Sequence, residues 1–321
     1  MSTSSSSSCS PSKRLLDLSL EDKKRFLDSF DYVLTDCDGV VWNLYGPIEG
    51  VGSAISALKS QNKRLVYVSN NSVRTLPNYR DQVRKLGHEV DDEDVVHPVV
   101  SVIKYLKSID FKGLIYAICA QPFLDALRDA GYEVIHGPSE PQPESLRLII
   151  PVIHDKKPVK AVVVDYDFNC NHTKMLRAEL YLKGDPECLL IAGATDRSIS
   201  ITQQCEVLGS GRYVDMLEQA TGRKAIVLGK PGHQLGVLLK AQYRIQDSRR
   251  VLFVGDMIAQ DVAFGKVAGF QTLLVLTGGA KNVDVEKLSD QDFVPDYYTE
   301  SFADFGKLIE EVRDAKAKAS L

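Results

Sequence analysis

Short apolar runs alternate with amphipathic stretches along most of the chain. Five runs rich in β-branched residues each end in a polar or glycine-containing turn, and most are followed by residues with helical periodicity. This alternation is typical of an α/β domain whose parallel sheet is covered by helices on both faces. The runs that predict the strands are 32–35, 64–68, 225–228, 251–254 and 272–276. The stretches that predict helices are 52–61, 76–86, 232–243 and 260–268.

The alternation changes between residues 103 and 211, where apolar runs and helical patterns occur without the polar motifs at the strand ends. The sequence therefore predicts a smaller α/β domain, 103–211, inserted into a core domain made of 24–102 and 212–321. Residues 1–23 begin with a serine-rich, low-complexity stretch and are predicted to be a disordered tail. The apolar runs in the inserted domain are 114–118, 146–153, 161–164 and 189–191, with helical stretches around 123–127 and 173–182.

Composition excludes several classes of protein. With 44% hydrophobic and 26% charged residues, the chain of 321 residues has enough apolar material for a real core. Its net charge of −4 argues against a nucleic-acid or acidic-membrane partner, since both favour a basic surface. We find no secretory signal, no run long enough to span a bilayer and no C-x-x-C pair among the six cysteines. These features predict a cytoplasmic protein with reduced thiols.

The segment from Asp36 to Gly39 follows the first predicted strand and carries two carboxylates, Asp36 and Asp38, two residues apart. Both leave the strand on the same side, where they would repel each other unless a divalent cation lay between them. Oxygen ligands favour Mg²⁺. Asp36 is placed to attack phosphorus, and Asp38 to protonate the leaving oxygen and later to deprotonate water. Alone, the motif is also compatible with an ordinary turn. Cys37, flanked by carboxylates, is a poor nucleophile.

Polar residues also follow three other predicted strands. Ser69-Asn70-Asn71 offers a hydroxyl, amides and backbone N–H groups to a phosphoryl oxygen. Lys230 would neutralise both the phosphate and the Asp36 carboxylate. Asp256 would ligate the metal, and Asp261 would support a metal-bound water or Lys230. Each signal alone fits a helix cap, a surface lysine or a turn. Their matched positions after four strands predict one site, because ligands bind at the carboxyl ends of parallel strands.

The chain resembles the haloacid dehalogenase-superfamily phosphatases with a large inserted cap, in the group of 4-nitrophenyl, phosphoglycolate and pyridoxal phosphate phosphatases. The resemblance implies a Rossmann-like core, with Asp36 as nucleophile, Asp38 as general acid/base, Ser69 as phosphate ligand and Lys230 as charge clamp. Mg²⁺ would be held by the Asp36 side chain, the Asp38 backbone carbonyl and Asp256. The dehalogenases lack the second acid, so Asp38 implies phosphate chemistry. The matching segments are 36–42, 69–72, 227–231, 254–256 with Asp261, 272–278 and 295–298.

The predicted cap departs from the family at three places. Relatives often carry Thr-Asn-x-Asp where this chain has Gly193 to Asp196, Pro-Gly-Thr-Gly where it has Leu208 to Gly211, and Gly-Phe-Asp where it has Asp165 to Asp167. In this group the cap supplies most substrate contacts and also joins two copies into a dimer, so a homodimer through the cap is expected.

The departures leave the substrate open. A covered site favours small phosphorylated metabolites such as phosphoglycolate or pyridoxal phosphate. One alternative is a phosphoprotein phosphatase, which rapid hydrolysis of a phosphopeptide would favour. Another is a binding or regulatory protein that has lost turnover, which a failure to hydrolyse any phosphomonoester would favour.

Overall fold

The chain folds into two compact units of α/β structure. The structure, a computed structural model, describes residues 12–202, 205–280, 283 and 285–319. Unit 1 contains the described residues of 1–68, 80–94 and 244–321, and unit 2 contains those of 69–79 and 95–243. The boundaries of the two units differ from those of the predicted domains. Residues 69–79, 95–102 and 212–243 were assigned to the core domain, but they belong to unit 2 together with the predicted inserted domain.

Strands and helices alternate along most of the described residues, as is typical of an α/β fold. The strands are β1 (Lys13–Arg14), β2 (Tyr32–Thr35), β3 (Trp42–Asn43), β4 (Gly46–Pro47), β5 (Arg64–Val68), β6 (Val95–Val96), β7 (Leu114–Ile118), β8 (Val134–Ile135), β9 (Val159–Val164), β10 (Leu189–Ala192), β11 (Ser198–Thr202), β12 (Cys205–Leu208), β13 (Ile226–Val227), β14 (Val251–Gly255), β15 (Gln271–Val275) and β16 (Tyr297–Thr299). The α-helices are α1 (Leu20–Asp28), α2 (Val51–Ser60), α3 (Leu76–Lys85), α4 (Pro98–Ser108), α5 (Gln121–Asp129), α6 (Leu146–Ile153), α7 (His172–Gly184), α8 (Gly211–Thr221), α9 (His233–Gln242), α10 (Ala263–Ala268) and α11 (Asp304–Ala319). A π-helical turn covers Ile258–Val262, and short 3-10 turns cover Leu15–Asp17, Asp92–Asp94, Ser248–Arg250 and Val285–Lys287.

Unit 1 is built on a sheet in which the strands run in the order β1-β16-β15-β14-β2-β5. Every pairing among these six strands is parallel. The residues of β14 and most of those of β2 are buried, because both strands lie inside the sheet with neighbours on each side. Such strands appear in the sequence as continuous apolar runs. The predicted α/β fold with a parallel sheet is confirmed.

One predicted strand belongs to a different sheet. The run 225–228 does form a strand, β13, but it pairs with β10, with Ile226 opposite Ile191 and Val227 opposite Ala192. Its assignment to the same sheet as the other four predicted strands was therefore wrong. The physical reason is that an apolar run predicts an extended conformation but carries no information about which strand will pair with it.

Unit 2 contains a second parallel sheet, in the order β13-β10-β9-β7-β8. Successive residues of a strand face opposite sides of the sheet, so this sheet has two cores. On one side Tyr116 and Val162 pack with apolar residues of α7 and α8. On the other side Ala117 and Val163 pack with apolar residues of α4 and α5. Both faces of the sheet are thus covered within unit 2.

The amino-terminal part of the chain differs from the predicted tail. Residues 1–11 lie outside the described residues, but 12–23 of the predicted tail include β1, a 3-10 turn and the start of α1. Leu15 is fully buried, and Phe26 packs edge-on against Phe30 and Tyr297 at ring distances of 5.2 and 4.7 Å. Ser19 caps α1 by accepting a hydrogen bond from the backbone N–H of Asp22. A few buried apolar side chains and one cap are enough to order this segment.

Two further observations bear on the class of protein. Within the described residues, no helix has both the length and the apolar character needed to cross a bilayer. Among the described residues, the cysteines at 37, 119, 170, 188 and 205 form no disulfide; Cys9 lies outside the described residues.

Candidate active site

Asp36 and Asp256 follow neighbouring parallel strands of unit 1. In the pairing of β2 with β14, Thr35 lies opposite Val254. The chain beyond Thr35 stays in this register, since the N–H of Asp36 donates to the Val254 carbonyl at 2.8 Å. Asp256 comes directly after Gly255, the last residue of β14. Because parallel strands end at the same edge of a sheet, both carboxylates lie at that edge.

Asp261 completes a group of three buried carboxylates. It lies on the π-helical turn after β14, and its Oδ2 accepts hydrogen bonds from the N–H groups of Asp256 at 3.0 Å and Met257 at 2.9 Å. One carboxylate oxygen each from Asp36, Asp256 and Asp261 lies within 4.8 Å of the others. The exposed fractions of these residues are 8%, 4% and 1%.

Three buried carboxylates so close together repel one another, and the repulsion is relieved by a cation or by protons. Carboxylate oxygens are the ligands that hard divalent cations such as Mg²⁺ and Ca²⁺ prefer in proteins. The donor set of Asp36, Asp256 and Asp261 therefore fits a divalent cation. Asp261 also holds the turn that carries Asp256, through the two N–H groups that its Oδ2 accepts from.

Glycine backbone packs directly against Asp256. A Cβ atom at Gly39 or at Gly278 would overlap Oδ2 of Asp256, and Gly39 has a φ of +89°, which favours glycine. The N–H of Gly279 donates to the same Oδ2 at 2.6 Å, and the Thr277 hydroxyl donates to the Gly39 carbonyl at 2.5 Å. The loop 277–279 is therefore part of the site. No role was predicted for this loop, although it follows a predicted strand as the assigned motifs do.

Asp38 is exposed, unlike Asp36. The indole N–H of Trp42 donates to Oδ1 of Asp38 at 3.0 Å, and the N–H of Gly39 donates to the Trp42 carbonyl at 2.7 Å. Trp42 is itself buried and stacks on Tyr67, with ring centroids 6.2 Å apart. Asp38 is thus a carboxylate in contact with water on a fixed turn, as proton exchange with solvent requires. Cys37 is fully buried between the two aspartates.

In unit 2 the side chain of Asn70 binds the backbone of Lys230. Its Oδ1 accepts from the Lys230 N–H at 2.8 Å, and its Nδ2 donates to the Lys230 carbonyl at 3.0 Å. Nδ2 also donates to Oδ2 of Asp196 at 2.8 Å. Gly229 permits this approach, since a Cβ there would lie 3.0 Å from Oδ1 of Asn70. Lys230 is only 1% exposed, so the alternative of a surface lysine does not hold.

Ser69 and Asn71 form a tight turn next to Asn70. The Ser69 side chain is buried, and its Oγ accepts from the N–H of Asn71 at 3.1 Å. Oδ1 of Asn71 accepts from the N–H groups of Val73 and Arg74 at 3.2 and 3.0 Å. The three predicted residues thus differ in their hydrogen bonds. The Asn70 side chain binds the backbone of Lys230, and the side-chain oxygens of Ser69 and Asn71 accept hydrogen bonds within their own turn. Asp196, which binds Asn70, was not predicted as a site residue, although it stands at the aspartate position of the Thr-Asn-x-Asp motif that relatives often carry.

Unit 2 also holds a fully buried carboxylate, Asp165, at the end of β9. It accepts hydrogen bonds from the Ser72 hydroxyl, from the Tyr166 N–H at 2.6 Å and from the Ala194 N–H at 2.8 Å. Burial raises the pKa of Asp165 to about 6. The three hydrogen bonds oppose that rise, because they stabilise the charged form. No role was predicted for Asp165, which stands where relatives often carry glycine.

Comparisons with known proteins find similar families, relatives and solved structures. A family model described as haloacid dehalogenase-like hydrolase matches residues 33–133, and a second, described as HAD-hydrolase-like, matches 227–305. Phosphoglycolate phosphatase 1A, chloroplastic, of Arabidopsis thaliana is 32% identical over 289 residues, which cover 89% of this chain and 79% of the relative. Glycerol-3-phosphate phosphatase of Gallus gallus is 30% identical over 310 residues, covering 93% and 98%. The solved structure of p-nitrophenyl phosphatase from Archaeoglobus fulgidus is similar with a TM-score of 0.71 and 25% identity, covering 87% of this chain and 99% of that one.

Proposed function

The chain belongs to the haloacid dehalogenase-like hydrolases and is a phosphatase of that family, and on this premise we propose that it hydrolyses small phosphomonoesters with Mg²⁺ through a phosphoryl group held on Asp36. The observation that carries the proposal is the buried group of Asp36, Asp256 and Asp261 beside an exposed Asp38. The two carboxylates of the Asp-x-Asp pair thus have different environments, which suits them to different parts of the reaction.

In the first step of the proposed reaction, a carboxylate oxygen of Asp36 attacks phosphorus and the bond to the ester oxygen breaks. Asp38 gives its proton to the departing oxygen. In the second step, Asp38 takes a proton from water, and the water oxygen attacks the phosphorus of the acyl phosphate. Inorganic phosphate leaves, and the Asp36 carboxylate is restored. The hydrogen bond from Trp42 holds Asp38 in place while it changes protonation state.

The cation is proposed to be Mg²⁺, held by oxygens of Asp36 and Asp256 and by the Asp38 backbone carbonyl, with Asp261 bracing the turn. When bound, Mg²⁺ would offset the negative charge of the phosphoryl group and of the carboxylates. The close packing of Gly39 and Gly278 against Asp256 leaves that carboxylate little freedom, so its oxygens are oriented in advance.

Ser69 and Lys230 are proposed to bind the phosphoryl oxygens. Lys230 is buried, which strengthens its electrostatic effect on a bound anion. Asn70 fixes the backbone of Lys230 and so acts on the substrate through it. The names of the relatives, among them phosphoglycolate and glycerol-3-phosphate phosphatases, support a small phosphorylated metabolite as the substrate. Among such metabolites we rank phosphoglycolate first. A homodimer and a cytoplasmic location remain predictions.

The test is Asp36→Asn against a matched control, Asp31→Asn, which removes an exposed carboxylate just before the same strand. With Mg²⁺ present, we expect Asp36→Asn to lose more than about a thousandfold in kcat, because the nucleophile is gone. The control should keep the wild-type rate. Near-wild-type activity of Asp36→Asn would refute the assignment of the nucleophile.

The substrate is tested on the wild-type protein with 4-nitrophenyl phosphate, phosphoglycolate, glycerol 3-phosphate, pyridoxal phosphate and a phosphoserine peptide. Faster turnover of a small metabolite supports the proposal. Rapid cleavage of the phosphopeptide with weak activity on small esters would favour a phosphoprotein phosphatase. If no phosphomonoester is hydrolysed, the chain has kept the fold without the activity.

A further inference from the structure

Asp165 and Gly193 occupy one crowded position at the carboxyl edge of the sheet in unit 2. A Cβ atom at Gly193 would overlap Oδ2 of Asp165 and would lie 3.0 Å from Cβ of Pro98. A side chain at 193 and a carboxylate at 165 therefore exclude each other in this backbone arrangement. This chain has the carboxylate at 165 and glycine at 193, and the Asp165 side chain is fully buried.

The carboxylate of Asp165 joins two segments that are distant in sequence. Oδ1 accepts from the hydroxyl of Ser72, which follows Ser69-Asn70-Asn71, and Oδ2 accepts from the N–H of Ala194 at 2.8 Å. The neighbouring Gly193 carbonyl accepts from the N–H of Gly229 at 2.9 Å, and Lys230 comes next. Ser69 lies three residues before Ser72, which Asp165 binds directly. Lys230 follows Gly229, which Asp165 reaches indirectly through the segment of Gly193 and Ala194. Both proposed phosphate ligands are thus connected to Asp165.

We propose that Asp165 is a positioning residue that sets substrate affinity by holding the Ser69 segment and the Lys230 segment in place. The inference rests on the proposed function, because it assigns Ser69 and Lys230 to the phosphoryl group. A charged acceptor bound to a buried hydroxyl and to backbone N–H groups makes stronger hydrogen bonds than a neutral one. Removal of the acceptor leaves those donors buried without a partner, so the two segments relax to satisfy them.

The experiment compares Asp165→Ala and Ser72→Ala with the control Asp167→Asn. Asp167 is also buried, but its carboxylate binds Lys174 at 2.8 Å and the N–H of Asn169 at 2.8 Å. For the first two variants we expect KM and the inhibition constant of inorganic phosphate to rise ~10-fold while kcat changes little. Backbone hydrogen exchange over 69–79 should also accelerate. The control should lose thermal stability with KM, phosphate inhibition and exchange over 69–79 unchanged.

Ser72→Ala deletes a single oxygen atom, and it still tests whether Asp165 positions the Ser69 segment if Asp165→Ala does not fold. The inference is overturned if both measured constants stay within about twofold of wild type and exchange over 69–79 is unchanged. It is also overturned if the control raises KM as much as the other variants, since that would mark a general loss of stability. If the wild-type protein hydrolyses no phosphomonoester, the proposed function fails, and the exchange measurement alone then supports or refutes the positioning of 69–79.

Discussion

The buried carboxyl of Asp165 should make the stability of the protein depend on pH in a direction unusual for an aspartate. Its pKa is about 6 in the folded protein against a reference of 3.8, with desolvation as the main cause. The folded state therefore binds this proton more tightly than the unfolded chain does. Stability contributed by the neutral carboxyl is present below the unfolded pKa and is lost as the pH rises through the folded pKa. The full gap corresponds to about 3 kcal/mol, of which about 2 kcal/mol falls between pH 4 and pH 7.

The perturbation that isolates this effect is Asp165→Asn, which keeps the shape of the side chain and removes the titration. The free energy of unfolding in urea is measured for both proteins at intervals from pH 4 to pH 7. Wild type should lose about 2 kcal/mol relative to the variant over this range, mostly between pH 4 and pH 6. Taking the difference between the two proteins cancels the titration of all other groups. A difference that stays constant with pH would refute the buried, desolvated carboxyl as the source.

Three more predictions concern single residues. Burial lowers the pKa of His97 to about 4, so wild type should lose about 3 kcal/mol relative to His97→Phe as the pH falls from 7 to 4; equal pH profiles would contradict this. Gly278→Ala should weaken Mg²⁺ binding in calorimetry at least ~10-fold, because its Cβ displaces Asp256; unchanged affinity would count against the site. Asn70→Ala should lower kcat/KM by ~10 to 100-fold by freeing Lys230, and wild-type kinetics would show that Asn70 is dispensable.

Much of the fold and of the carboxylate group is determined by the sequence alone. The run before Asp36 is apolar because β2 is buried on both faces, and the same holds for the run before Asp256. Strand ends in a parallel sheet converge by geometry, so residues that follow two such runs can be assigned to one site without coordinates. These features are local or periodic, and a sequence displays them directly. Asp36 and Asp256 were assigned to one metal site on this ground, whereas the approach of the Asp261 carboxylate to both is a finding of the structure.

The tertiary structure alone decided which segments lie side by side. That β13 pairs with β10 rather than with the first sheet, and that Asn70 holds the backbone of Lys230, follow from contacts between residues far apart in the chain. The same is true of Asp165, whose two oxygens bind groups 93 and 29 residues away and exclude any side chain at Gly193. Burial and packing set these relations, and neither propensity nor periodicity encodes them.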